Sequence, residues 1–306
     1  MALSQNVRGA LFMSVSMAAF TLNDALVKAV SEHMNMGQVM FIRGLFATML
    51  LLVLAWYQGG LGGFRNTLQP IVGLRTIGEL GGTLFYLIAL AHLPLANVSA
   101  VFQALPLVIT LGAVIFFREP VGWRRWIAIA VGFLGILMIV RPGLEGFTIY
   151  SLFTLICVVF CALRDLTTSR IPHSVGTLQL SIVTAGVVAV FGALLIVPMG
   201  GWSPVSPYDL VLLFGAGILI LVGYQTIIIS VRGTDISFVA PFRYTSLLWA
   251  LLMGLVLFSD FPDLPTLTGA VLVIGSGIYT LYRERVTGRA KVASGSTNAE
   301  MFPDGL

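Results

Sequence analysis

Apolar residues along this chain fall into ten blocks of roughly twenty residues, parted by short stretches that hold proline, glycine and charge. An α-helix rising 1.5 Å per residue needs about twenty residues to cross some 30 Å of hydrocarbon, so each block has the length of one membrane span. The blocks cover residues 7–30, 36–57, 70–92, 94–117, 123–141, 148–170, 176–198, 207–231, 236–258 and 265–282. Their edges meet Gln58-Gly59-Gly60, Leu93-Pro94, Arg118-Glu119-Pro120, Arg141-Pro142-Gly143 and Pro262 to Pro265, where proline or glycine makes a helix costly to continue. A transmembrane barrel would alternate apolar and polar residues over about ten positions. Val183 to Val197 is almost continuously apolar instead. The pattern predicts an all-α integral membrane protein of ten transmembrane helices.

Composition supports this. The hydrophobic fraction is 58% and the charged fraction 10%, against about 25% charged in soluble domains, so no water-facing surface can be built from the chain. The first block resembles a signal peptide only in position. Arg8 alone precedes it, and it continues into Lys28 with no cleavage site, which reads as a retained helix. Cys157 and Cys161 are the two cysteines, four apart on one helix face, and read as buried small residues rather than a redox or metal site.

The basic residues report topology. Arg8, Arg65, Arg118, Arg124, Arg125, Arg170, Arg232, Arg283, Arg285, Arg289 and Lys291 fall on one side, and Arg141 alone on the other. Loops rich in arginine and lysine stay in the cytoplasm, so both termini are expected there, with the chain in a cell inner membrane. The remaining basic residues, Lys28, Arg43, Arg75, Arg164 and Arg243, lie inside spans. A nucleic-acid partner is therefore not implied by the net charge of +4.

Ala96-Asn97-Val98-Ser99 through Arg118-Glu119-Pro120 to Arg141 has a weaker counterpart about 140 residues on, in Ile236-Ser237-Phe238-Val239 through Asp260 to Arg283. Two five-helix repeats follow from this. Five is odd, so the second repeat enters the membrane in the opposite sense, the inverted architecture that gives a carrier alternating access to a midplane site.

Four motifs carry a resemblance: Asn23-Asp24-Ala25-Leu26-Val27-Lys28, Phe41-Ile42-Arg43, Leu93-Pro94-Leu95-Ala96-Asn97 through Pro106, and Arg118-Glu119-Pro120 with Trp123-Arg124-Arg125-Trp126. On these residues the chain resembles the drug/metabolite transporter superfamily, in its EamA-type group of ten-helix carriers. The resemblance implies an EamA-like repeat at 7–141 and a second at 148–283, while the charged tail at 284–306, with its Ser294 to Asn298 stretch, is expected to be disordered and cytoplasmic. The second repeat departs from the pattern at Phe258-Ser259-Asp260. The signature of the first two helices is closest to the branch of bacterial riboflavin and S-adenosylmethionine uptake carriers. That branch, with an aromatic interior, puts riboflavin or a similar aromatic metabolite first as cargo and S-adenosylmethionine second, ahead of amino-acid or multidrug export.

Charges at bilayer depth cost about 2.5–3.5 kcal/mol each, so they turn inward and mark a pathway. The interior set is Asp24, Lys28, Arg43, Arg75, Glu79, Arg164, Asp165 and Arg243, which favours an anionic or electron-rich cargo over a simple cation. Asp24 with Lys28, and Arg75 with Glu79, are four residues apart and so are expected to pair, or to release a protonatable carboxylate during transport. Arg164 and Asp165 are adjacent and expected to point apart. Phe102 and Gln103 align with Phe242 and Arg243 at an offset of 140 residues, which predicts a symmetric central site. Asn23, Arg43, Tyr86, Tyr224, Gln225 and Tyr244 complete the candidate cargo set. Arg243 has no acid three or four residues away, so its partner is either the cargo or Glu79 or Asp165 on another helix. Pro106 and Pro241 are expected to kink the fourth and ninth spans.

A membrane enzyme and a non-transporting scaffold are the rival classes. His33, His92 and His173 lie near different span ends, without the spacing of a metal site, and no GxxxxGK[ST] loop occurs. The reading is a secondary transporter driven by a gradient or by exchange. It calls for no cofactor, a small-molecule solute and the bilayer as partners, and a monomer or homodimer.

Overall fold

The computed structural model describes residues 5–57, 62, 64–117, 122–141, 148–172, 174–231 and 239–287, and these are helices and their connections, with no strand among the described residues. In chain order the α-helices are α1 Gln5–Ser31, α2 Met36–Tyr57, α3 Pro70–His92, α4 Leu95–Phe102, α5 Leu105–Phe117 and α6 Trp123–Val140. They continue as α7 Ile149–Thr168, α8 Thr177–Ile196, α9 Pro207–Val231, α10 Thr245–Phe258 and α11 Leu264–Thr287. Helices α4 and α5 together make the fourth span, and a 3-10 helix, Ala240–Tyr244, leads into α10 as the ninth. Among the described residues, eight spans are long and apolar enough to cross a membrane by themselves, while α6 and α11 carry the shorter apolar runs Trp126–Val140 and Leu264–Thr280.

The outer surface is apolar. Val53, Leu134, Val190, Leu194, Val211 and Val271 are exposed, an arrangement that fits lipid and not water. Trp56, Tyr57, Trp123, Trp126, Trp202 and Tyr208 are also exposed, and all sit at or beside helix ends, where amphipathic rings reach the headgroup level.

Helix pairing follows one rule. Helix α1 packs along α9, α2 along α8, α3 along α7, α6 along α11, and α4 against α10. Exchanging each span for the one five places on returns the same set: the α1–α9 pair becomes α7–α3, and the other pairs map onto themselves. Two copies of one five-helix unit, run in opposite senses, produce such a pattern.

Backbones approach closely where glycine allows it. A Cβ at Gly78 would lie 2.8 Å from the Arg164 amide nitrogen and 2.9 Å from the Phe160 carbonyl oxygen, so α3 lies directly on the backbone of α7. Gly135 and Gly269 face each other in the same way across α6 and α11, each virtual Cβ 2.6 Å from the other's carbonyl.

Several boundaries differ from the sequence pattern. The fourth span is not one helix kinked at Pro106 but breaks at Gln103-Ala104. Pro106 then sits in the first turn of α5, where its missing N–H leaves nothing unbonded. Helix α11 runs to Thr287, through the first residues assigned to the tail. Arg118-Glu119-Pro120, Pro142-Gly143, the expected start of the ninth span at 236 and the tail from 288 lie outside the described residues.

On the side away from the chain ends, Arg141 closes α6 in the left-handed region (φ 51°), and its guanidinium bridges to the Asp263 carboxylate at the start of α11. Asp263 also accepts from the Thr266 amide at 3.1 Å, capping α11. The hydrogen bond from Arg141 and the bonds from Thr266 hold the Asp263 carboxyl down at about 2, from an ordinary 3.8.

Two predictions follow from this packing. Gly78→Ala forces α3 off α7 and lowers stability by about 1–3 kcal/mol, while Gly73→Ala, whose Cβ meets nothing within 4 Å, leaves the melting temperature in detergent unchanged or slightly raised. A Gly78→Ala melting curve superimposable on the wild type would contradict the close approach. For Asp263, a folded value below the unfolded one means that the bridge stabilises above about pH 4 and fades as pH falls toward about 2. The melting temperatures of the wild type and Asp263→Asn should therefore differ by a constant amount at neutral pH and converge in strong acid; a gap that persists in acid contradicts the bridge.

Candidate functional site

Along α1, Asn23 is buried and Asp24 half-buried, and both face the interior between the two repeats. A carboxylate there needs donors. Tyr86 on α3 supplies its hydroxyl at 2.6 Å and the neighbouring Asn23 its amide N–H at 2.9 Å. With its amide nitrogen so engaged, the Asn23 carbonyl oxygen is left buried with no hydrogen-bond partner. The patch is rich in acceptors and holds no ion pair among the described residues.

Lys28 does not meet Asp24, contrary to the pairing expected from their spacing. Its ammonium donates to the carbonyls of Leu90 and Leu93, at 3.0 and 2.6 Å. The reason is local. The Leu90 carbonyl would bond the amide four residues on, which is Pro94 and has no N–H, so the end of α3 offers unfilled acceptors. Lys28 fills them, and its ammonium lies 5.4 Å from the ring centroid of Phe258.

Between α3 and α7 the charges form a chain. Glu79 lies 3.5 Å from Arg164 and 4.0 Å from Arg75. Arg164 also donates from Nε to Asp165 at 2.7 Å, so these adjacent residues meet where the sequence reading had them diverge: a long guanidinium stem folds back to reach a neighbouring carboxylate. Arg75 is held further by Thr168 and Thr184, at 3.0 and 2.8 Å, and ties α3 to both α7 and α8.

The two interrupted spans meet at the centre. Gln103, the cap of α4, donates to the hydroxyl of Ser246 in the first turn of α10 at 2.6 Å. Thr21 donates to the Ser246 carbonyl at 3.4 Å, which brings α1 into the same junction. Around this junction lies a cavity of about 280 Å³. Asn23, Asp24, Arg43, Glu79, Tyr86, Phe102, Gln103, Arg164, Tyr224, Arg243 and Tyr244 line it, joined by Ser99, Cys157, Cys161 and Ser246. A second lobe of about 190 Å³ shares Arg43, Glu79 and Tyr224 and extends between α2, α3, α8 and α9, with Arg75 and Gln225 on its wall. Phe20 packs edge-on to Tyr224, and Tyr86 edge-on to Phe102, at 5.3 and 5.7 Å between ring centres.

Three candidates stand apart from the cavity lining. Phe242 packs on the apolar cluster of Met13, Met17, Ile227 and Val239, Lys28 turns to the end of α3, and Asp165 lies behind Arg164. Ser246 and the cysteines were missed as cavity residues. A lone serine opening an apolar helix carries no signal of its own, and the small apolar character of cysteine matches ordinary packing.

Comparison with known proteins agrees with this architecture. The profile of the EamA-like transporter family matches residues 7–141. An S-adenosylmethionine uptake transporter of Rickettsia felis is 28% identical over 291 residues, covering 93% of this chain and 96% of its own. A pseudopaline exporter of Pseudomonas aeruginosa is 25% identical, over 87% of this chain and 93% of its own. A riboflavin transporter of Vibrio cholerae is also 25% identical, over 88% and 91%. A crystal structure only 17% identical superposes with a TM-score of 0.62 over 92% of this chain and 99% of that one, and so speaks for the fold alone. With its ten spans in two cross-packed sets and a cavity between them lined by charged, polar and aromatic side chains, the chain is similar to the EamA-like transporter family, whose profile its first half matches.

Proposed function

We propose that this transporter takes up a flat heteroaromatic metabolite carrying both charges, of the S-adenosylmethionine type, through the central cavity. The observation that carries the reading is the state of two groups. Asp24 and Arg43 line one cavity, and neither forms an ion pair among the described residues. Both side chains are half-buried, and a charge held partly out of water gains from a partner of opposite sign in direct contact with it. A solute with an ammonium or sulfonium at one end and a carboxylate at the other compensates both, and the unpartnered Asn23 oxygen adds an acceptor for its amino group. Phe102, Tyr86 and Tyr224 supply faces and edges for an adenine ring.

The sequence alone favours riboflavin as cargo. S-adenosylmethionine moves ahead because the named relatives with the higher identity, 26–28%, carry that name, and because an amphoteric solute answers both unpaired charges. Riboflavin remains the second reading, favoured by the aromatic lining and by riboflavin-transporting relatives at 25% identity. The repeats at 7–141 and 148–283 interleave, so pairs built from one helix of each, such as α3–α7 and α6–α11, would move as units about the Gln103–Ser246 junction and expose the cavity to each side in turn. Both termini lie in the cytoplasm on the strength of the basic-residue asymmetry. Transport runs on a gradient or exchange, in a monomer or homodimer.

Uptake of labelled S-adenosylmethionine into vesicles reconstituted with the purified chain tests this. Saturable uptake should be competed by unlabelled S-adenosylmethionine and unaffected by riboflavin. Asp24→Asn and Arg43→Gln should each lower kcat/KM about tenfold to a hundredfold at unchanged expression, as expected for one lost charge-assisted contact of about 1.5–3 kcal/mol. Arg243→Ala should also abolish uptake, and Arg243→Lys should restore little, because an ammonium lacks the planar fork. Uptake competed by riboflavin alone transfers the proposal to the second reading; full activity in Arg43→Gln overturns the charge argument for either.

A further inference from the structure

Cys157 and Cys161 form an unassigned feature of the cavity wall. They stand one turn apart on α7, with sulfurs 3.9 Å from each other, and both are free and line the central cavity. Their sulfurs lie close against α3: a Cβ on Gly82 would lie 2.9 Å from the Cys161 sulfur, so a larger residue there would displace that thiol. A disulfide would need the sulfurs to close to about 2.05 Å and an oxidant. A single thiophilic atom needs neither. Two bonds of about 2.3 Å, the length of a zinc–thiolate bond, span 3.9 Å with a bent geometry.

We propose that Cys157 and Cys161 are a dithiol site for trivalent arsenicals, whose occupation obstructs the cavity. The step is a condensation. Each thiol gives its proton to a hydroxyl on an arsonous acid, two arsenic–oxygen bonds break, two arsenic–sulfur bonds form and two waters leave, with no change of oxidation state. Cys161, 5% exposed against 0% for Cys157, meets the reagent first, and Cys157 closes the ring. The organic group on arsenic then occupies part of the cavity that the two cysteines line.

The probe is phenylarsine oxide, hydrated in water to the arsonous acid, added to the purified chain in detergent. Because these are the chain's two cysteines, one adduct by intact mass should consume both thiols in a free-thiol assay, with no variant needed. The adduct should raise the melting temperature, since a ligand of the native state stabilises it, and excess 2,3-dimercaptopropanol should remove it. Cys157→Ser, or Cys157→Ala should the serine variant fold poorly, should weaken binding by about a hundredfold or more, the gain that joining two contacts in one molecule supplies. No adduct on the folded chain, an adduct that leaves one thiol free, a lowered melting temperature or equal affinity in the Cys157 variant would each overturn the site. None of these readouts uses a transported solute, so failure of the proposed cargo leaves them intact.

Discussion

Every charge placed inside this bundle must find a partner other than water, and that single constraint arranges the interior. Hydrocarbon offers nothing to an ammonium, a guanidinium or a carboxylate. Lys28 therefore spends its protons on the carbonyls that Pro94 leaves open at the end of α3. Glu79 sits between Arg75 and Arg164, and Arg164 reaches back to Asp165. These groups explain one another. Asp24 and Arg43 remain, both on the cavity and both without a salt bridge among the described residues, and the proposed function rests on that residue of charge.

The cavity depends equally on where helices are allowed to touch. Small residues bring α3 onto α7 and α6 onto α11 at backbone distance. Helices so tightly joined in pairs leave the space to the two broken spans, which cannot pack as continuous rods. Their junction is the hydrogen bond from Gln103 to Ser246. A carrier needs rigid pairs that move as units and a soft seam between them. The glycine contacts supply the first and the junction the second.

Much of this was legible in the sequence, and the limits have physical causes. Span number and edges follow from twenty-residue apolar blocks closed by proline and glycine, because lipid imposes both length and apolarity. The site was legible as a set of residue types: Asp24, Arg43, Tyr86, Gln103, Tyr224 and Arg243 all line the cavity. Partnership was not. Four-residue spacing places Lys28 beside Asp24 on the helix face, but a carbonyl freed on another helix competes for the ammonium, and no local pattern contains that carbonyl. Adjacent positions send the backbone stems of Arg164 and Asp165 apart, yet the length of arginine undoes the separation. The offset of 140 residues matched Phe102-Gln103 with Phe242-Arg243, but Phe242 packs on Met13 and Met17 instead. A weak repeat fixes the helix and leaves the rotation of each side chain to packing.

The central claim is that the unpaired Asp24 and Arg43 belong to a solute rather than to the fold. An experimental structure of the chain with bound S-adenosylmethionine tests it most directly. The account predicts density in the central cavity, with the cationic end of the solute within hydrogen-bonding distance of Asp24 and the Asn23 oxygen and its carboxylate on Arg43 or Arg243. Ligand density elsewhere, or in the cavity with Asp24 and Arg43 bonded to each other instead, would contradict it.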